Sequence, residues 1–361
     1  MKRWKTRVGA LLSAMILCTG VSAFAAEAEP LFTPEMTVQQ LHDDPVLNEA
    51  GIMTYFRDKN LYGRWKWKDK TFAEYMGENV TQSCIESMEQ IVRNHNAGVQ
   101  VVHKIYTEEE IAQDPCKNNA ELWYFPAENT GEKTKYAVLM SGNVLDETQE
   151  IKEGAAGAYK LNQLGYSAFV LRYRTWMEMD DDAPMYDLGR AIQYITEHAE
   201  EFNVLVEDYA LIGHSSGGHI VGLFGGERLG YKHFGVEKPG ALILAYPVNS
   251  FAEGIPVYHL VIDRGTWGTR YYDKSVSGSV TEDFPPTYFW YGKDDTMLMA
   301  LCWPLQGPAL GKALERMGVE YREVVFRNAP HGCALGEGTD ADGWLYDAVA
   351  FWEEQSTTEC L

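Results

Sequence analysis

The sequence is poor in positive charge. Thirty-one Lys and Arg stand against 52 Asp and Glu, for a formal net charge of −21 at pH 7. Holding nucleic acid or an anionic membrane surface takes clustered Lys and Arg, so neither is an expected partner. Cysteine is sparse as well. The six residues form no CxxC pair and no metal-ligand spacing, which argues against a structural zinc site or any other metal. Strict repeats, low-complexity tracts, a P-loop and a dinucleotide fingerprint are all missing.

The N-terminus reads as a targeting segment. Lys2, Arg3, Lys5 and Arg7 precede the apolar run VGALLSAMILCTGVSAFA, and Ala23-Phe24-Ala25 supplies a small-x-small cleavage site. A membrane anchor is the rival reading. The run is short for a span, however, and contains Ser13, Thr19 and Gly20. A lipoprotein site at Cys18 is disfavoured by the bulk of Leu17 before it. Cleavage after Ala25 takes 25 residues from 361 and leaves 336, with no stable membrane anchor. It also removes four basic residues, moving the charge from −21 to −25, which suits solubility outside the cell. Five cysteines then remain: Cys84, Cys116, Cys302, Cys333 and Cys360. An exported chain permits disulfides, but the odd count leaves at least one thiol unpaired.

From about residue 98 to the C-terminus, apolar β-rich runs alternate with helical patterns. Strand candidates are 99–106, 121–127, 136–142, 166–174, 208–215, 240–248, 286–295 and 321–328. Helix candidates are 151–165, 183–202, the segment after Ser215, 304–319 and 340–355. Runs such as ALILAYPV are apolar throughout, as central parallel strands covered on both faces are. The pattern predicts an α/β fold, a mostly parallel doubly wound sheet with helices on both faces. The first two runs lack a long helix between them and are expected to form an antiparallel edge. Residues 26–97 read as an N-terminal helical extension, with one helix in MTVQQLHDDPVLNEAGIMTYF and another in FAEYMGENVTQSCIESMEQIVRNH. Residues 249–284, rich in Gly and aromatics, fit an irregular lid-like insertion.

The chemistry-bearing stretch is LIGHSSGGHIVG, residues 211–222. It joins a strand to a helix, and Gly213-His214-Ser215-Ser216-Gly217 matches G-x-S-x-G. This pattern makes a sharp, strained turn that exposes the serine hydroxyl, with glycines where a Cβ would clash. The frame selects Ser215; with Ser216 as nucleophile, His214 would fall where the first glycine must be. A nucleophilic serine needs a base and an orienting acid, later in the chain and in the order acid, then histidine. His331, in the loop NAPHGCALG after the last strand, suits the base. Asp294 and Asp295 follow the strand ending at Gly292 and are the acid candidates, with Asp263 more remote. His219 lies one helical turn after Ser215 and is badly placed to approach the hydroxyl. His214 flanks the serine inside the turn, where packing against a neighbouring strand explains it.

Residues 99–355 resemble the α/β-hydrolase superfamily, specifically its bacterial esterase/lipase branch, which includes acetyl-xylan and feruloyl esterase-like enzymes. The matching strings are YAVLMSGN, EGAAGAYKLNQLGYSAFVLRYR, DLGRAIQYITEHAEEF, GHSSGGH, ALILAYPV, GKDD and APHG. The resemblance implies Ser215 and His331 as catalytic residues. It selects Asp295 over Asp294, because the family's acid takes the fourth position of G-x-x-D. It also implies an oxyanion hole built partly from the backbone N–H of Ser216. The family often has a glycine-rich HGGG or PGGG string for the second donor, whereas this chain reads Ser141-Gly142-Asn143-Val144. The second donor is therefore expected from the backbone of Gly142 or Asn143. Losing one such donor typically lowers the rate about 100- to 1000-fold.

The expected function is a secreted serine hydrolase that cleaves carboxylic esters through an acyl-enzyme and needs no cofactor. The favoured partner is a small-molecule or carbohydrate ester, with acetylated or feruloylated carbohydrate as substrate class. Tyr258, Trp267, Tyr271 and Tyr272 could stack on sugar rings or aromatic acids, or simply pack a lid. A short-chain carboxylesterase or lipase is the alternative within the same chemistry. A non-catalytic binding protein on a hydrolase fold is the alternative of another class. Peptidase activity is disfavoured because residues 31–97 are too few for a gating domain. Oligomeric state is not legible.

Overall fold

Among the described residues, eight strands form one sheet in the order β1-β2-β6-β3-β7-β8-β9-β10. They are β1 (Val102–Lys104), β2 (Glu121–Phe125), β3 (Tyr136–Met140), β6 (Ser167–Arg172), β7 (Ala210–His214), β8 (Ala241–Ala245), β9 (Thr287–Gly292) and β10 (Tyr321–Phe326). A separate two-residue ladder pairs β4 (Asn143–Val144) with β5 (Glu147–Thr148). The computed structural model describes residues 30–52, 68–128, 131–144, 147–175, 182–249, 275–295 and 306–358. From β6 to β10 all neighbours are parallel, while β1 and β2 form an antiparallel edge with only short helical segments between them, as the lack of a long helix there predicts.

The central strands are apolar on both faces because both faces are covered. In β3, Ala137 and Leu139 join one core, whereas Tyr136, Val138 and Met140 join the other, following the two-residue period of a strand. The helices comprise α1 (Val38–His42), α2 (Pro45–Glu49), α3 (Phe72–Met76), α4 (Glu78–Asn96), α5 (Glu108–Gln113), α6 (Ala156–Gln163), α7 (Ala183–Glu197) and α8 (Ser215–Phe224). Further helices include Gln306–Met317 and Trp344–Thr358. The first core takes side chains from α4, α6 and Trp344–Thr358. The second takes them from α7, α8 and Gln306–Met317. Buried Asp187 of α7 accepts from the Arg174 backbone N–H at 2.9 Å and from its guanidinium at 2.7 Å, fastening that helix beside the end of β6.

Two expected N-terminal helices are each broken in two. The first stops at His42 and restarts at Pro45, which has no N–H to donate and suits the first position of a new helix. Asp44 caps that restart through bonds to the N–H groups of Val46 and Leu47. The second breaks at Gly77, whose φ of +96° only glycine adopts without strain. Helix 151–165 departs too: Glu150–Ala155 is a wide π-helical segment that leads into α6.

The described residues from Phe32 onward belong to one compact unit. Leu41, Phe72, Met88 and Ile91 of the N-terminal helices lie in the same core as Leu139 and Ile212 of the sheet. The expected export signal, Asp263, and the aromatics Tyr258, Trp267, Tyr271 and Tyr272 lie outside the described residues. Of the expected insertion at 249–284, Asn249 and 275–284 are described; Val276–Ser279 form a helical turn capped by Ser275. Among the described residues, no helix is long and apolar enough to cross a membrane.

Candidate active site

Strand order brings three distant residues to one edge of the sheet. Ser215 follows β7, Asp295 follows β9 and His331 follows β10, all at carboxyl ends, where ligands of open α/β sheets bind. Ser215 has φ +51°, a conformation that costs a non-glycine residue energy and is held by its surroundings. The glycines of the turn answer to close backbone approach. A Cβ on Gly213 would lie 2.5 Å from the Gly217 carbonyl oxygen, and one on Gly217 would lie 2.3 Å from that of Met140.

The three side chains form a continuous hydrogen-bonded line. Ser215 Oγ is 2.8 Å from His331 Nε2, and His331 Nδ1 is 2.8 Å from Asp295 Oδ2. Asp295 is 1% exposed, whereas its neighbour Asp294 is exposed, so geometry picks between the two carboxylates. With Asp295 as acceptor, His331 Nδ1 carries the proton, and Nε2 is left basic and facing Ser215. The arrangement can move a proton from the serine hydroxyl to the imidazole while the buried carboxylate balances the charge formed.

The other two histidines stand apart from this line. His219 Nδ1 bonds to the Val248 carbonyl at 2.9 Å. His214 is buried between the rings of Tyr246 and Trp344, and that burial holds its pKa below the usual histidine value. Cys333, two residues past His331, is a thiol pushed up to about 12 chiefly by burial.

The oxyanion expectation needs correcting at Gly142. Its backbone N–H is committed to Glu153 Oε2 at 2.6 Å, because the π-helical segment carries this buried carboxylate under the loop. Asn143 donates its N–H to Ser216 Oγ at 2.9 Å, so its acceptor is a hydroxyl that can rotate. Asn143 is thus the one of the two whose N–H stays exchangeable. The Ser216 N–H lies in the first turn of α8, where backbone donors have no intrahelical acceptor. Sequence reasoning missed Glu153, Tyr246 and the Ser216 hydroxyl. No motif marks them, and Glu153 reads as an ordinary acidic residue of a helix.

Residues 123–233 match a family model described as BD-FAE, a span that contains Ser215 but neither Asp295 nor His331. Over 207 residues the chain is 25% identical to endo-1,4-β-xylanase B of Butyrivibrio fibrisolvens. That alignment takes in 53% of this chain but spans only 31% of the relative's length. The fold is similar to an acetyl ester-xyloside bifunctional hydrolase from Caldicellulosiruptor lactoaceticus, with TM-score 0.58 and 22% identity over 70% of this chain and 95% of that one. It is similar also to a carboxylesterase from Lactobacillus plantarum WCFS1, with TM-score 0.56 and 20% identity over 66% and 92% of the two chains. A truncated carbohydrate esterase from gut microbiota gives TM-score 0.54 and 18% identity over 66% and 91%. With its strand order, its G-x-S-x-G turn between β7 and α8, and these likenesses, the chain has the α/β-hydrolase fold.

Proposed function

We propose that the protein is a secreted serine hydrolase that cleaves carboxylic esters, with Ser215 as nucleophile, His331 as general base and Asp295 as the orienting acid. The observation that carries the reading is the 2.8 Å and 2.8 Å line from Ser215 through His331 to Asp295. Ser215 Oγ attacks the ester carbonyl carbon while His331 Nε2 takes its proton. The tetrahedral intermediate then collapses, and the same proton leaves with the alcohol. Water repeats the sequence on the acyl-enzyme, with His331 again accepting a proton, and releases the acid. Developing charge on the carbonyl oxygen is met by the backbone N–H groups of Ser216 and Asn143.

Esters of plant-type carbohydrate, acetylated or feruloylated, are the favoured substrates. The BD-FAE match and the xylan- and xyloside-related names of two relatives support that class. A short-chain carboxylesterase is the second reading, favoured by the carboxylesterase-like neighbour. Export is inferred from the basic, apolar and small-x-small succession at residues 2–25.

The test is hydrolysis of p-nitrophenyl acetate by the wild type and Ser215→Ala, with fluorophosphonate labelling alongside. Labelling at Ser215 and loss of turnover in the variant are expected. Equal rates in both would refute the nucleophile, and no adduct would favour a binding role. A panel of acetylated and feruloylated xylo-oligosaccharides beside simple acyl esters separates the two substrate readings.

A further inference from the structure

The loop at 141–144 has one glycine, yet the two peptide planes that flank Gly142 are each held at both ends. In the Ser141–Gly142 peptide, the carbonyl accepts from the Tyr173 hydroxyl at 2.7 Å and the N–H donates to Glu153 Oε2 at 2.6 Å. In the Gly142–Asn143 peptide, the carbonyl accepts from the Gln149 N–H at 3.0 Å and the N–H donates to Ser216 Oγ at 2.9 Å. Gly142 sits between nucleophile and carboxylate: a Cβ there would lie 2.9 Å from Ser215 Cβ and 3.1 Å from Glu153 Oε2. Glu153 is 4% exposed, and no Lys, Arg or His pairs with it among the described residues. A carboxylate buried in this way is costly unless hydrogen bonds satisfy it.

Its second donor leads to the other side of the site. Glu153 Oε1 accepts from the Tyr246 hydroxyl at 2.8 Å, and that hydroxyl oxygen accepts from the Ala334 N–H at 3.1 Å. Ala334 lies three residues past His331 and itself has φ +51°. The fully buried Tyr246 ring lies 5.0 Å from the His331 ring, and its backbone is held at φ +37°. One carboxylate and one phenol thus tie the nucleophile-side loop, the end of β8 and the histidine loop together.

We infer that Glu153 and Tyr246 are positioning residues for the proposed ester hydrolysis, fixing the Asn143 N–H relative to Ser215 and His331 through the chain Gly142–Glu153–Tyr246–Ala334. The inference rests on the serine-hydrolase reading. It adds a source of order that a glycine-rich string would otherwise supply: side-chain bonds hold the donor loop in advance of the reaction. Donors preorganised toward developing charge act on the transition state more than on bound substrate.

The test uses the full-length protein with Tyr246→Phe, Glu153→Gln and the double variant. Phe deletes the hydroxyl that bridges Ala334 and Glu153. Gln puts an amide donor where either the Gly142 N–H or the Tyr246 hydroxyl needs an acceptor. Each single variant is expected to lose about tenfold or more in kcat, the scale of a small misplacement at a reacting centre. KM should stay within roughly threefold, since ground-state binding is not the target. Affinity for an aryl trifluoromethyl ketone, whose adduct with Ser215 carries an oxyanion, should fall by the same factor as kcat. The double variant should lose little more than the worse single one, because the two residues form one unit. If Glu153→Gln does not fold, Tyr246→Phe decides alone.

A folded variant with kcat within about twofold of wild type overturns the inference. So does a loss confined to KM, or a fall in kcat with ketone affinity unchanged. Wild type that neither turns over any ester nor takes a fluorophosphonate label overturns the serine-hydrolase reading itself.

Discussion

Replacing Asp295 by Asn tests the line of three residues at its least exposed member. Asn is nearly isosteric, so the fold should persist, while the charge beside His331 disappears. When His331 accepts the serine proton, it becomes an imidazolium hydrogen-bonded at 2.8 Å to a carboxylate that is 1% exposed. With charge centres about 4 Å apart and an effective dielectric near 20, that pairing contributes roughly 4 kcal/mol. This corresponds to about three orders of magnitude in kcat. Asn can also present its amide N–H to Nδ1, which would stabilise the wrong tautomer and deepen the loss. The assay is kcat for an activated ester in wild type, Asp295→Asn and Asp294→Asn, with thermal melts to verify folding. Asp294 is exposed and should be dispensable. A folded Asp295→Asn enzyme keeping more than about a tenth of wild-type kcat would refute the assignment. Equal damage from Asp294→Asn would refute it as well.

Gly217→Ala would place a Cβ 2.3 Å from the Met140 carbonyl oxygen and 2.6 Å from that of Ser141, and neither backbone group can swing away. It should destabilise the protein by about 1–3 kcal/mol or more and cut kcat by displacing Ser215, as melts and initial rates would register. Acid should weaken the fold near pH 6 as well. Burial holds the pKa values of His103 and His214 below 6.5 in the folded state, so the unfolded chain takes up protons that the native chain refuses. Stability is therefore lost as pH falls below about 6.5, by up to roughly 1.4 kcal/mol per unit for each group. Urea midpoints at pH 7 and pH 5.5 should show the loss, and His103→Gln should lessen it; an unchanged slope in that variant would exclude His103 as a contributor.

Local pattern carried much of this protein. The need for glycine at Gly213 is local, since a Cβ there would meet the Gly217 carbonyl of the same turn, whereas Gly217 answers the approach of Met140 and Ser141 at the end of β3. The apolar runs at 136–140, 210–214 and 241–245 report burial on both faces, which any parallel sheet under helices imposes. Helix continuity was less legible: Pro45 and Gly77 interrupt segments whose apolar spacing alone reads as unbroken.

Tertiary structure decided what depends on groups far apart in the chain. Whether Asp294 or Asp295 faces His331 turns on the direction in which the loop leaves β9, and only the fold buries one and exposes the other. The fate of the Gly142 N–H was decided in the same way. Its acceptor comes from a π-helical turn eleven residues later, and that carboxylate is held in turn by a tyrosine at the end of β8. Hydrogen-bond satisfaction of a buried group depends on whichever atoms the fold brings within 3 Å, and no spacing rule in a sequence encodes that.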